Sequence, residues 1–290
     1  MLNSGFVFLD KPSGISSRAA GARVAKMFGV KKFGHIGTLD PFASGLLIIA
    51  LGEATKIIPY LPDADKEYEF SIKFGIRTNT DDITGAVVET RSGEIDNNLL
   101  NFALEKLTGE IEQTPPNYSA VHIDGVRAYK LANAGRYIKM PTRRVKIYEL
   151  KQTGENKFFV RCGGGTYVRS LVRDIAENCG QIGVCETLRR VATNGVKIKD
   201  AHTLDFLENM FNNKGCVGLN DFLMPVDFGL GDIPVWNLEI TDAGLFCRGG
   251  FIQMDGADTD VVRVYLENEL VGIGKIDGGE LKPKRILQCR

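Results

Sequence analysis

No run of about 18 uninterrupted apolar residues, the least that would suggest a membrane-crossing helix, occurs anywhere in the chain. The opening stretch MLNSGFVFLDKPSG has no positively charged n-region, and Asp10 with Lys11 interrupts its apolar run. Neither a secretory signal nor a membrane span is expected, and a cytoplasmic location is. Cysteine is sparse and unpatterned: positions 162, 179, 185, 216, 247 and 289 contain no CxxC pair. Such spacing suits reduced core thiols in the cytosol better than a disulfide frame or a zinc site. Histidines 35, 122 and 202 stand alone, without HExxH or a deaminase-type HxE and CxxC pattern, so no metal is expected. GGGTY lacks the GK[ST] of a phosphate loop, and neither a strand-bounded GxGxxG nor a GxSxG elbow is present. Kinase, dinucleotide and hydrolase chemistry thereby lose their signatures. No internal repeat or low-complexity tract appears.

Net charge is also missing: 36 basic side chains balance 36 acidic ones. The charges are nevertheless segregated. Lys11, Arg18, Arg23, Lys26, Lys31 and Lys32 occupy a segment with no acid. Arg127, Lys130, Arg136, Lys139, Arg143, Arg144 and Lys146 follow Asp124, and Lys282, Lys284, Arg285 and Arg290 gather at the end. Asp205, Glu208, Asp221, Asp227 and Asp232 face only Lys214 between residues 201 and 234. A neutral protein of this kind can present a basic face to phosphates, although each cluster alone also fits a solvated helix face.

What is present suits an ordinary globular protein, 43% hydrophobic and 25% charged. Its length predicts one catalytic domain of roughly 200 residues or more with a small appendage. Gly5 to Asp10 predicts a buried strand, then Ser16 or Ser17 caps a helix through about Phe28 with Ala20, Val24, Met27 and Phe28 on one face. LLIIAL, residues 46 to 51, fits buried strand and buried helix equally. Tyr68, Phe70, Ile72 and Phe74 alternate with polar residues, which predicts a strand with one covered face. Helices are predicted over Leu99 to Leu107, Val126 to Ala134 and Val168 to Ala176, the last with Arg169 in its first turn; Lys157 to Cys162 predicts a strand. VVRVYLENELVGIG predicts a hairpin turning near Glu267 and Asn268, within a β-rich module of about sixty residues.

Residues 34 to 56, GHIGTLDPFASGLLIIALGEATK, set one aspartate among glycines that let the backbone approach a ligand. An Asp before Pro is by itself ordinarily a turn residue. In context, GHIGTLDPFASGLL resembles the catalytic-loop motif of the TruB family of pseudouridine synthases. FVFLDKPSGISS resembles that family's N-terminal motif, and DKEYEFSIKFGIRTNTDDITG its tyrosine-bearing strand. QTPPNYSAVHIDGVRAYKLANAG, GGGTYVRSLVRDIA and Leu188 to Arg190 resemble three further segments, in order, from about residue 5 to 200. The last sixty residues resemble a PUA-like RNA-binding module only loosely.

The resemblance implies an α/β (α+β) pseudouridine synthase fold: a long, mixed, mostly antiparallel bent sheet flanked by helices over residues 1–230, and the small module over 231–290. It implies isomerisation of the T-loop uridine of tRNA, position 55, by base flipping, with no cofactor, no metal and no obligate protein partner; a monomer is expected. Asp40 is implied as nucleophile, Tyr68 as the tyrosine that stacks on the base and acts toward the ribose, and Tyr167 and Arg169 as contacts of the aspartate. Leu188 is implied to line the pocket and His35 to hold the flipped loop; Lys11 is expected among the substrate-binding residues. Asn79, where a second aspartate is common, and Gly163 with Gly164 depart from the family pattern.

The chemistry suits these residue types. Isomerising uridine means breaking the C1′–N1 bond, turning the free uracil and rejoining it through C5. A glycosidase needs two carboxylates to handle water and leaving group. Here the uracil anion leaves unaided and is itself the returning nucleophile, so one carboxylate suffices. Asp40 can trap C1′, add to C6 or assist elimination to a glycal. Arg169 is expected to lower the Asp40 pKa and fix its orientation, although such a pair also fits a plain buried ion pair. Tyr68 and Leu188 are expected to sandwich the flipped base, the basic run from 127 to 146 to form a mobile flap over the RNA. A tRNA-binding folding chaperone and an RNA-guided synthase subunit are the competing functions.

Overall fold

The computed structural model describes residues 4–136 and 139–287; Tyr137 and Ile138 of the basic run, Cys289 and Arg290 lie outside the described residues. The chain enters as strand β1 (Gly5–Lys11), whose apolar residues are buried on both faces: Val7 and Leu9 join one core, Phe6 and Phe8 another. Helix α1 (Ser17–Met27) is capped by Ser16, whose hydroxyl accepts from the Ala19 amide at 3.1 Å. Ala20, Val24, Met27 and Phe28 form its inward face. Strands β2 (Phe33–Ile36) and β3 (Ser44–Leu51) flank the loop that carries Asp40. The run 46 to 51 is therefore strand. Leu47, Ile49 and Leu51 enter the first core and Leu46, Ile48 and Ala50 the second, and a strand covered on both faces has no polar alternation to reveal its period.

Strand β4 (Lys66–Phe74) buries Tyr68, Phe70 and Ile72 as expected; Ser71, on the other face, is also buried, bonded to Glu186 at 3.1 Å and Thr187 at 2.8 Å. A short hairpin, β5 (Ile76–Thr78) and β6 (Val87–Thr90), precedes helix α2 (Asn97–Lys106) and strand β7 (Gly109–Gln113). The helix expected from Val126 begins two residues later. Val126 and Arg127 form β9 (Val126–Arg127), paired with β8 (His122–Ile123), and only then does α3 (Ala128–Asn133) start. Asp124 and Gly125, both at positive φ, make the two-residue turn that favours a hairpin here. Strands β10 (Arg143–Gly154) and β11 (Lys157–Cys162), helix α4 (Val168–Asn178), strands β12 (Gly183–Thr193), β13 (Val196–Lys197) and β14 (His202–Thr203), and helix α5 (Leu204–Lys214) complete this part.

The ten-stranded sheet runs β14-β1-β3-β12-β4-β11-β10-β7, with β2 on β3 and β13 on β12. Only β1 with β14 and β12 with β3 are parallel, so the sheet is mixed and mostly antiparallel, as expected. Side chains of α1, α2, α4 and α5 cover one face through the first core. The β12–β4 register sets Leu188 opposite Phe70 and Arg190 opposite Tyr68, between bulges at Cys185/Thr187 and Arg190/Ala192. Bulges bend a strand and re-aim its side chains, and these two bracket the residues that face the Asp40 loop. Gly45 (φ +101) lets β12 close on β3, because a Cβ there would clash with the Arg190 backbone.

The final part is a five-stranded sheet, ordered β15 (Val235–Leu238), β17 (Thr259–Leu266), β18 (Glu269–Asp277), β19 (Glu280–Ile286) and β16 (Ile252–Gln253), with helix α6 (Ile240–Cys247). The hairpin turns at Glu267, which adopts φ 55°. Ile273 and Leu287 of this part pack with Phe6, Phe8, Leu46, Ile48 and Leu230 in the second core. Tyr265 donates to Asp227 at 2.6 Å, and Lys56 to the Ile286 carbonyl at 3.0 Å. The module is thus fused to the large sheet through shared apolar burial. Ile273→Ala is expected to remove about 2–5 kcal/mol and lower the midpoint of a single thermal transition. Calorimetry showing two independent transitions, with only one shifted, would contradict the shared core.

Cys162, Cys179, Cys185 and Cys216 are free thiols. Cys247 departs from the expectation of reduced cysteines, being disulfide-bonded. Sequence spacing carries no information on which side chains a β-rich fold brings together. Among the described residues no helix is long and apolar enough to cross a membrane.

Candidate active site

The Asp40 loop is held from beneath by the N-terminal segment. Ser17, whose hydroxyl is not spent on capping, donates to the Leu39 carbonyl at 2.8 Å and accepts from the Leu39 amide at 2.9 Å. Gly14 N donates to Pro41 O at 2.8 Å, and Ser13 Oγ to Phe42 O at 2.6 Å. Lys11 lies under the same loop with 0% exposure, its ammonium donating to the carbonyls of Pro12 and Ile15 at 2.8 Å and more weakly to Pro41 at 3.5 Å. Burial pushes its pKa down to about 8, against the pull of Asp40. The ammonium of Lys11, a residue expected among those that bind substrate, is bonded to backbone carbonyls of and beside the loop.

Asp40 faces the first turn of α4. Its Oδ1 accepts from Arg169 Nη2 at 3.2 Å, and its Oδ2 lies 2.9 Å from Arg169 Nε in an off-axis ion pair. Arg169 is 3% exposed and held through both terminal nitrogens: Nη1 donates to Thr80 O at 2.6 Å and to Asp82 at 3.5 Å, and Nη2 to Tyr118 O at 2.8 Å. Asp82, which sequence reasoning passed over in favour of Asn79, is buried behind Arg169. Its Oδ1 accepts from Thr80 Oγ1, Thr84 N and Thr84 Oγ1, which shapes the β5–β6 turn around the guanidinium. Asn79 caps the same hairpin through Ala86 N at 2.9 Å. Arg169 pulls the Asp40 pKa down as expected, but the net shift is upward. Burial raises it, the Arg169 charge opposes, and the second carboxylate at Asp82 adds to the rise.

A cavity of about 270 Å³ opens over this pair, lined by Asp40, Tyr68, Ser119, Arg143, Tyr167 and Leu188 among others. Tyr68 and Leu188 meet there because they share one face of adjacent strands. Burial pushes the Tyr68 phenol above its ordinary value, with Arg190 opposing, so it stays protonated at neutral pH. Arg190, quoted in the LRR motif but given no role there, is the largest fully buried side chain of the described residues. Its Nε donates to Leu46 O at 2.7 Å and Nη2 to Gly37 O at 3.1 Å, which fastens the glycine turn that begins the Asp40 loop. A Cβ at Gly37 (φ +65) would come within 2.9 Å of Arg190 Nη1.

Two expected residues sit differently. Tyr167 lines the cavity, but its ring lies under Arg143 at 4.7 Å, and no bond to Asp40 is formed. Gln113 clips its backbone at both polar groups, at 2.8 and 3.1 Å. His35 lies outside the cavity lining, 3.2 Å from Thr38 Oγ1. Burial, with Arg190 and Arg18 nearby, lowers its pKa and keeps the ring neutral. A wider depression of about 770 Å³ shares Leu188 as a wall, but Glu69, Glu155 and Glu186 line it and Arg189 is paired with Asp10 at 2.7 Å. No group of three or more metal-ligating side chains is assembled among the described residues.

The chain matches the family described as TruB family pseudouridylate synthase (N terminal domain) over residues 25–168, and that described as Pseudouridine synthase II TruB, C-terminal, over residues 234–287. It is 37% identical over 301 residues to a tRNA pseudouridine synthase B of Caulobacter vibrioides, covering 98% of this chain and 96% of that protein. A tRNA pseudouridine synthase B of Aromatoleum aromaticum is 39% identical over 288 residues, with 98% and 92% covered. Among solved structures, a Cbf5-Nop10-Gar1 complex contains a chain similar at TM-score 0.71 and 23% identity, covering 100% of this chain and 86% of that one, a likeness of fold. A single carboxylate gripped by a buried arginine beside a tyrosine-walled cavity, together with near full-length similarity at this level, establishes that the chain belongs to the TruB family of pseudouridine synthases.

Proposed function

We propose that the chain is a tRNA pseudouridine synthase that isomerises the T-loop uridine at position 55, with Asp40 as the nucleophile. The observation that carries this is the lone carboxylate of the cavity: Asp40 lines it, whereas Asp82 is buried against Arg169 outside the lining. One carboxylate is enough for a reaction whose leaving group returns as the nucleophile. The C1′–N1 bond breaks, the uracil turns, C5 bonds to C1′, the C5 proton is released to solvent, and N1 takes a proton up from solvent. Tyr68 and Leu188 wall the space in which the base turns, and their closeness excludes the water that would otherwise hydrolyse the sugar. Arg169 holds the carboxylate in line; Arg190, Lys11 and Ser17 hold the loop. Tyr167 and His35 take substrate-binding roles at the cavity wall and its approach. Residues 1–230 form the catalytic domain and 231–290 an RNA-binding module, acting in the cytoplasm as a monomer without a protein partner.

The test is release of tritium from unmodified tRNA labelled at C5 of uridine, with no metal or nucleotide added. Release of one tritium per tRNA supports the isomerase; tight binding without release would point to a folding chaperone. The pH profile gives a further check. Every route through Asp40 needs the ionised carboxylate, and its raised pKa means the proton returns sooner as pH falls. The acid limb of kcat/KM is therefore expected above the ordinary carboxylate value of 3.8. A limb at or below that value would contradict the burial of Asp40.

A further inference from the structure

Four cations line the cavity: Lys66, Arg143, Arg169 and Arg190. Three are committed. Arg169 and Arg190 are bonded as described, and Lys66 donates to Ala64 O at 3.1 Å and Asp63 at 3.4 Å. Arg143 differs. Its Nε and Nη2 are shielded from solvent and have no acceptor among the described residues. These two N–H groups form one edge of the guanidinium, the fork that matches two oxygens of an oxyanion. A shielded, unpaired cationic donor is unfavourable unless a ligand relieves it. Ser119 Oγ, buried on the same cavity, is likewise without a partner.

The sheet ladder fixes the backbone of Arg143. Arg143 opens β10 and pairs in the ladder with Gln113 of β7, and Gln113 is the residue that clips Tyr167 N and O. One backbone register therefore sets Arg143 over the Tyr167 ring, with its Nε–Nη2 edge unpaired. The uracil is uncharged as it enters the cavity and then offers a guanidinium no partner of equal strength. The RNA strand carrying a flipped nucleotide offers a phosphodiester on either side of it.

We propose that Arg143 binds, through Nε and Nη2, a phosphodiester flanking the flipped uridine, and so anchors the RNA strand at the cavity wall; this rests on the synthase function proposed above. The terminal torsions of the side chain turn the fork toward the strand as the RNA enters.

The test is a cycle between protein and RNA. T-arm stem-loops carrying a neutral methylphosphonate at each phosphate flanking the target uridine are bound by wild type, Arg143→Gln and Arg143→Lys. Affinity is read by filter binding, and pseudouridine formation by tritium release. Arg143→Gln is expected to weaken binding about ten- to a hundredfold, with kcat within about threefold. One methylphosphonate should weaken wild type similarly yet leave Arg143→Gln unaffected, and Arg143→Lys should recover only part of the loss. The slope of log K against log salt should fall by roughly 0.7 to 0.9. Additive losses at every phosphate, or a fall in kcat at unchanged affinity, would overturn the proposal. Wild type that binds but releases no tritium would sink the synthase function instead, while the binding cycle still decides the role of Arg143.

Discussion

Asp40→Asn is expected to abolish pseudouridine formation, leaving turnover at least about a thousandfold below wild type, a barrier rise of roughly 4 kcal/mol. The amide keeps the shape of the carboxylate and can still accept from Arg169 Nη2, now 3.2 Å from Oδ1. It has no negative charge with which to attack C1′ or C6 or to steady a glycal-forming transition state. Binding should change little, within about tenfold, because phosphate contacts dominate protein–RNA affinity. Tritium release and filter binding on the same preparation separate the two effects. Near wild-type turnover by this variant would remove Asp40 from the mechanism whatever its geometry.

Replacement of Arg169 should act on stability and chemistry together. In Arg169→Gln the carboxylates of Asp40 and Asp82 lose their common counter-charge, and the carbonyls of Thr80 and Tyr118 lose their donor. Breaking a buried pair on one side costs about 3–5 kcal/mol. The Arg169 charge also opposes the rise in the Asp40 pKa, so its loss should raise that pKa further and carry the acid limb of kcat/KM to higher pH. Arg169→Lys keeps the charge but cannot span Asp40, Thr80 and Tyr118 at once. It should retain more stability than Arg169→Gln while losing most of the activity. Thermal denaturation and single-turnover tritium release across pH give both quantities. An unchanged acid limb in Arg169→Gln would mean that Arg169 has no electrostatic hold on Asp40.

Several parts of the site were legible in the chain. Ser16 and the apolar spacing behind it announced α1, the alternation through Tyr68 announced β4, and Arg169 was placed in the first turn of its helix. These are local features, set by backbone hydrogen-bonding period and capping, and neighbours in sequence suffice to specify them. The Asp40 loop stood out for its glycines and turn residues. Asp82 and Arg190 did not stand out, because an acid in a TDD turn and an arginine in a strand are ordinary on a surface. Only the packing of β12 against β3 and β4 makes Arg190 a fully buried clamp.

The chain by itself determined the strands and helices with clear period, the segregated charge and the motifs that carry the family resemblance, since each is written in residues near one another. Whether residues 46 to 51 were helix or strand, that the buried Lys11 ammonium bonds the backbone beside the loop, and that burial outweighs Arg169 at Asp40 were decided only by the tertiary structure. The reason is common to all three. Each depends on how much water is excluded by elements distant in sequence, and desolvation is a property of the assembled core that no local pattern encodes.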